Sequence, residues 1–328
     1  MNRKIFCVVL VTLLMELCSA AEAQQPKKVP RIGFLASGTA SSAEESLAPF
    51  RQRLHELGYV EGKNIVLEYR LGEGNPDRLP VLAAELVRLK VDVILIIGGT
   101  PPAMAAKGAT ATIPIVVAGL SDPVATGLVS SLARPGGNIT GITVMNEELA
   151  GKRLELLKET FPEVSRVAVL WNSTNPGAAL NFKETQAVAR RLGLQLQSLD
   201  VHSVNDLEGA FESATRSGAH ALDVLRTGPL TSQFRRIADF AVKNHLPSIH
   251  DRSDFVEAGG LMSYGANIAD TSRRAAVYVD KILKGTKPAD LPIERAMKFE
   301  LVINLKTAKQ IGLTIPQSVL YQADKVIK

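Results

Sequence analysis

From residue 30 onward, apolar positions along the chain alternate between two spacings. Short, mostly apolar runs at 31–36, 64–70, 91–97 and 113–118, with an extended piece at 138–143, have the length of strands of a buried parallel sheet. Between them the period is helical. Leu47, Phe50, Leu54 and Leu57 share one face of 44–57 before Gly58, and Leu79, Leu82, Leu86 and Leu89 do the same over 76–89. Regular alternation of this kind predicts an α/β, doubly wound parallel sheet.

The pattern then restarts. A helix over 147–160 leads to strands at 166–171, 195–200, 221–225 and 247–250, with helices at 178–192, 204–217 and 231–243 that stop at Gly193, at Gly218 and before Pro247. This predicts a second lobe of similar size, alike in architecture and without a residue-level repeat. A long helix at 268–283, a strand at 299–305 and a short helix at 306–311 follow, and they have to return to one lobe and then the other. Strands that cross between lobes make a hinge, and the cleft between βα lobes is a place where ligands bind.

The first 23 residues read differently. Arg3 and Lys4 precede an apolar run over 5–14, and Ala21-Glu22-Ala23 offers small residues for cleavage near Ala23, which predicts a secretory signal peptide too short to span a membrane. Cys18 suggests a lipid anchor, but Met15-Glu16-Leu17 before it lacks the small residues such processing favours. Both cysteines, Cys7 and Cys18, fall in this segment, so the mature chain is expected to form neither a disulfide nor a thiolate metal site. No later stretch reaches ~18 uninterrupted apolar residues, so a soluble mature protein is expected.

Charge adds little. The chain has 38 Lys and Arg against 33 Asp and Glu, and removing 1–23 takes two of each sign and leaves the formal +5 unchanged. That excess is diffuse, whereas nucleic-acid binding needs a clustered basic face.

The turn Gly98-Gly99-Thr100-Pro101 is the strongest candidate for chemistry. It stops the apolar run 91–97 and opens a helix with Thr100 as expected N-cap, aiming backbone N–H groups at a carboxylate, phosphate or other small anion. A G-x-G-x-x-G fingerprint and a phosphate-loop motif are both missing, so no nucleotide cofactor is expected.

Other candidates follow predicted strands, because α/β ligands gather at such tips. In the first lobe they are Ser37, Gly38, Thr39, Ser121 and Asp122; in the second they are Trp171, Asn172, Asn175, Arg226, Thr227 and Asp251. Ser37, Thr100 and Asp122 serve equally well as plain helix caps. Trp171, the single tryptophan, is either a flat wall for a ring or hydrocarbon ligand or a packed lobe edge.

An enzyme reading has thin support. Gly119-Leu120-Ser121-Asp122-Pro123 imitates a G-x-S-x-G nucleophile elbow but ends in Pro, and the five histidines fall in no catalytic or H-E-x-x-H pattern. No carboxylate cluster suggests a metal, and no N-terminal helix-turn-helix suggests DNA binding.

Several phrases resemble the bacterial ABC-transporter substrate-binding proteins of the tryptophan/tyrosine-binding type. They are LGYVEGKNI at 57–65, the stretch 79–93, SLARPGGNITG at 131–141, GKRLELLKE at 151–159, FVEAGGLMSYG at 255–265 and KFELVINLKTA at 298–308, in order across 30–326. The resemblance implies a type I periplasmic-binding-protein fold: two Rossmann-like lobes, each a parallel sheet flanked by helices, joined by a three-strand hinge. The lobes expected are 31–141 plus 265–288 and 142–264 plus 289–328. It further implies a monomeric, non-enzymatic periplasmic protein without cofactor or metal, delivering a small solute to an ABC permease in the inner membrane. Coupling to a sensor or chemoreceptor is the alternative, and a secreted hydrolase using Ser121 the more distant one. Tyr264, in the Ser-Tyr-Gly crossover, is implied either to cap the pocket or to pack the hinge.

The sequence departs from the family pattern at two tips. It reads Asn172-Ser173-Thr174-Asn175-Pro176 where many relatives have Asn-Pro, and Leu225-Arg226-Thr227-Gly228-Pro229-Leu230 where many carry acids. Losing an acid removes an ammonium partner, and Arg226 supplies a fork for a carboxylate unless it pairs with a neighbouring acid. The expected ligand is an aromatic or aliphatic carboxylate, or an amino acid.

Overall fold

The computed structural model describes residues 28–328, so the expected signal at 1–23 lies outside the described residues. Two sheets carry the chain. The first has the order β11-β5-β4-β3-β1-β2, all parallel, from β1 (Arg31–Ala36), β2 (Val66–Leu71), β3 (Val93–Ile97), β4 (Ile115–Leu120), β5 (Ile139–Thr143) and β11 (Glu294–Arg295). The second has the order β13-β12-β10-β9-β8-β6-β7, from β6 (Arg166–Trp171), β7 (Gln195–Asp200), β8 (Ala221–Val224), β9 (Ser248–His250), β10 (Met262–Ala266), β12 (Phe299–Asn304) and β13 (Lys325–Ile327). Only its β10–β12 pairing is antiparallel.

Helices cover both faces, as buried parallel strands require. In the first lobe α1 (Ala40–Glu56), α2 (Leu79–Arg88), α3 (Thr100–Ala109) and the returning α10 (Ile268–Leu283) do so. In the second, the helices are α4 (Asn146–Thr160), α5 (Pro176–Arg191), α6 (Leu207–Arg216), α7 (Gly228–Thr231), α8 (Phe234–Lys243), α9 (Ser253–Glu257), α11 (Leu305–Gln310) and α12 (Gln317–Gln322). Each lobe holds one apolar core on either side of its sheet, and among the described residues none of these cores bridges the cleft. None of these helices is long and apolar enough to cross a membrane.

Three strands, β2, β3 and β4, start two residues later than their apolar runs suggest. Before β3, Asp92 Oδ2 accepts from Arg31 N (2.8 Å), so Asp92 closes the end of β1 and Val91 turns into the α2 side of the core. In β4, Gly119 takes φ +86°, and the register shift there lets Leu120 still pair with Thr143. Nearby, Gly141 at φ +134° lies so close to β4 that a Cβ would fall 2.0 Å from Val117 O. Helix α1 starts at Ala40, ahead of the expected 44, because Ala-Ser-Ser-Ala carries no apolar period to reveal it.

The chain crosses between sheets after Thr143, after Ala266 and between Arg295 and Phe299. The last crossing falls later than the expected boundary at 288. Leu291 and Ile293 are buried in the first lobe's cores, and Glu294 pairs with Ile142, a two-residue strand too short to leave a sequence pattern.

Candidate functional site

The tips of both sheets face one another across a cleft. On one wall, β3 ends in Gly98 (φ +78°) and Gly99 (φ +93°), left-handed conformations that suit glycine. Gly99, and not the expected Thr100, is the N-cap of α3: Thr100 is already helical and 2% exposed, and Pro101 follows it. On the other wall, Arg226 follows β8 and Arg252 follows β9. The Nη1 atom of each lies 3.9 Å from where a Cβ on Gly98 would stand. A cavity of about 50 Å³ lies between the walls, enough for a few water-sized molecules, and among the described residues the two arginines are the only charged ones that line it.

These arginines are held from behind. Arg226 Nη1 donates to Gly119 O of the opposite lobe (3.1 Å), and its Nη2 lies 2.5 Å from Asp251 Oδ2. That second contact is a buried ion pair that occupies Nη2, while Nε has no acceptor. Arg226 thus pairs with a neighbouring acid and keeps its Nε–H free for one further acceptor, such as a carboxylate oxygen. Asp251 also accepts from Asn146 Nδ2 (2.7 Å). Burial alone would raise its carboxyl; the attraction and hydrogen bonding of Arg226, together with other nearby groups including Arg153, outweigh that and hold it well below the usual range. Burial pushes the Arg226 guanidinium down, against the pull of Asp251. Arg252 is fixed by Asp254 through Nε at 2.9 Å.

Beneath them His250 is fully buried, its Nδ1 accepting from Arg252 N (2.9 Å), and burial pushes its pKa down to about 4, so the imidazole is neutral. One layer deeper, Asp223 is pushed up to about 6 by burial despite the attraction of Arg153, which is 1% exposed.

The remaining expected residues divide. Ser37, Gly38, Gly99, Asn175 and Arg226 line the cavity. Asn175 also caps α5, its Oδ1 accepting from Gly177 N (3.0 Å). Asn172 lines an adjoining pocket, with its Oδ1 taken by Thr174 N and Oγ1. Thr39 lies beside the cavity and bonds Ser41 Oγ at 3.1 Å. Asp122 works as a cap, its Oδ1 accepting from Val124 N (2.8 Å) and Ala125 N (3.1 Å). Trp171 is not in the cavity: it stacks on Phe182 at 4.1 Å and 10°, and its Nε1 donates to Ser198 Oγ (2.7 Å), a packed lobe edge. Tyr264 likewise packs against the second lobe's core, its carbonyl accepting from Arg153 Nη1 (3.4 Å).

The lobes touch through glycines. A Cβ on Gly177 would fall 2.5 Å from Thr100 Oγ1 and 3.1 Å from Ser121 Oγ, and one on Gly228 would fall 2.8 Å from Ser37 Cβ. Ser121 thus serves the lobe contact. His202 lies on Asp200, His220 on Ser165, His245 near Ile311 O and His250 beneath Arg252, so none of them forms a base for Ser121. Among the described residues no group of three or more His, Cys, Asp or Glu could hold a metal.

This architecture has close relatives. Residues 39–327 match the family described as ABC transporter substrate binding protein. The chain belongs to that family. It is 25% identical over 287 residues to a tyrosine-binding protein of Clostridioides difficile, covering 88% of this chain and 82% of that one. Among solved structures, a conserved domain protein of Vibrio cholerae aligns with TM-score 0.85 at 28% identity, over 91% of this chain and 100% of the other. An ABC domain in complex with L-Trp from Streptococcus pneumonia aligns with TM-score 0.84 at 28% identity, over 91% and 99%. The ligand-free, open structure of a Clostridium difficile substrate binding protein with adhesive properties, 25% identical over 92% and 100%, reaches only 0.63. At nearly equal identity the better match is to the complexed chain, in keeping with the touching lobes. The family is non-enzymatic, as expected from the missing catalytic parts.

The cavity wall of this substrate-binding protein also holds residues to which the sequence does not point. Arg252 carries the second cavity charge, yet it stands one position past Asp251 in an ordinary polar triplet. Ser42 and Ser46 line the cavity from the first turns of α1, in the stretch whose helical start carried no apolar signal.

Proposed function

We propose that this protein captures a small organic carboxylate in its interlobe cleft and delivers it to an ABC permease of the inner membrane, working as a monomer in the periplasm after export through its first 23 residues. The observation that carries this reading is the pair Arg226 and Arg252, the only charges lining the cavity among the described residues, with Arg226 Nε lacking an acceptor. The start of α3 adds a positive dipole end from the opposite wall, with few N–H groups because Pro101 and Pro102 carry none.

The relatives named for tyrosine and L-Trp support a ligand with a carboxylate. An amino acid also brings an ammonium, for which the cavity wall offers hydroxyls and the Asn175 amide but no carboxylate. Acids without an ammonium are therefore favoured over neutral amino acids. A thermal-shift and calorimetry panel tests this: organic acids raise the melting temperature as bound ligand stabilises the fold, and Arg226→Gln weakens them by about 30-fold or more. Neutral amino acids shifting the melting temperature while organic acids do not would overturn the reading. Transport of the same acid by vesicles holding the permease, dependent on this protein, tests the delivery.

A further inference from the structure

The cleft does not stop at the arginines. Ser37, Pro101, Asn175, Thr227 and Gly228 line both the inner cavity and a second pocket of about 70 Å³, bounded further out by Gly74, Pro76 and Thr174. That neck shares Pro76, Pro101 and Thr174 with an open groove of about 650 Å³ between α2 and α3, facing the start of α5. Pro101 belongs to all three spaces.

Their chemistry changes along this line. The inner cavity carries two cations and the neck is neutral. The outer groove is lined by Leu79, Ala84, Met104, Ala105 and several prolines, with no charged residue. Its single side-chain polar group, the Thr174 hydroxyl, is already spent on Asn172 Oδ1 at 2.6 Å. Prolines bring no backbone N–H, so the walls offer few donors. Met104 is 42% exposed there, an apolar surface continuous with a charged pocket.

We propose that the ligand is an elongated acid, its carboxylate on the Arg226–Arg252 pair and its apolar tail running through the neck beside Pro101 into the groove between α2 and α3. The proposal rests on the carboxylate reading above. It assigns ligand selectivity to two places: the arginines select the head, and the groove selects the length.

The test is the dissociation constants of unbranched monocarboxylates of increasing chain length, measured by calorimetry on the protein and on Gly108→Glu. A side chain at Gly108 meets nothing within 4 Å, so that helix keeps its packing while the groove gains a charge. Met104→Glu on the same exposed face is the second variant. The expected result is an affinity that rises about two- to fourfold per methylene beyond the shortest acids, as apolar tail is buried, and a clearly flatter slope in both variants. Because added acid groups repel every carboxylate head alike, the slope and not the absolute affinity is the readout. Short acids binding as tightly as long ones, or a slope unchanged in both variants, overturns the elongated ligand while leaving the carboxylate site intact. Failure of every acid to bind overturns both.

Discussion

Substituting Gly177 with Ala tests whether the two lobes must come together to hold a ligand. Gly177 is the second residue of α5, and the new Cβ would stand 2.5 Å from Thr100 Oγ1 and 3.1 Å from Ser121 Oγ, both on the opposite lobe. Thr100 is 2% exposed in this arrangement, so its hydroxyl has little room to swing aside. Overpacking a tight contact costs roughly 1–3 kcal/mol. That cost falls on the closed form alone, because the three residues separate when the lobes part. Ligand affinity should therefore drop by about 5- to 150-fold. The open form is spared, and alanine in a helix is better than glycine by roughly 0.5–1 kcal/mol, so the melting temperature without ligand should hold or rise. Calorimetry with the tightest acid gives the first number and differential scanning fluorimetry the second. Small-angle scattering should show that saturating ligand compacts Gly177→Ala less than the parent. Adding Thr100→Ala removes the nearest clashing atom and should restore part of the affinity, a coupling readable as a double-mutant cycle. An affinity within twofold of the parent refutes the steric argument. So does a ligand-free melting temperature that falls as far as overpacking predicts, since the clash would then be present without closure.

Three further outcomes follow from the same geometry. Trp171→Phe should change affinity by less than about threefold, because the indole stacks on Phe182 away from the cavity; a tenfold loss would return it to the ligand site. Gly141→Ala should destabilise the first lobe by more than about 3 kcal/mol in urea unfolding, as a Cβ there meets Val117 O at 2.0 Å with φ at +134°; a near-neutral variant would show that β5 can shift off β4. Asp223 and His250 oppose one another with pH. The buried acid, raised from 3.8 to about 6, contributes stability that is full below 3.8 and lost as pH rises to about 6. The buried imidazole, lowered from 6.5 to about 4, contributes stability present above 6.5 and lost as pH falls to about 4. Asp223→Asn removes the first contribution, so its unfolding free energy should climb by roughly 2 kcal/mol between pH 4 and 6.5, a slope shallower in the parent; a flat profile in the variant would refute the assignment.

Much of the fold was legible because its strands are buried on both faces. Runs such as Val93–Ile97 admit few other readings, and helices α2 and α6 carry plain apolar stripes. What escaped had no hydrophobic signature: the polar first turn of α1, the two-residue β11 and the glycine bulge in β4. In the site, Arg226 was readable as a cation at a strand tip. Its partner Arg252 was not, because only folding brings the ends of β8 and β9 side by side, and the sequence held nothing to rank Asp251 above its neighbour. Trp171 shows the converse. Standing at a strand tip made it a candidate, but β7 and α5 offered Ser198 and Phe182 close enough to absorb the indole.

The two described ends of the chain belong to different halves of the hinge: Arg31 opens the first sheet, and Ile327 closes the second at its edge strand. Cys7 and Cys18 both precede the described residues, so a thiol introduced anywhere from residue 28 onward has no competitor there. Exposed Lys63 and Lys325 could each be exchanged for cysteine and labelled with a donor and an acceptor dye. The pair would convert lobe movement into an optical signal and make this fold a ready chassis for sensing whichever acid it prefers.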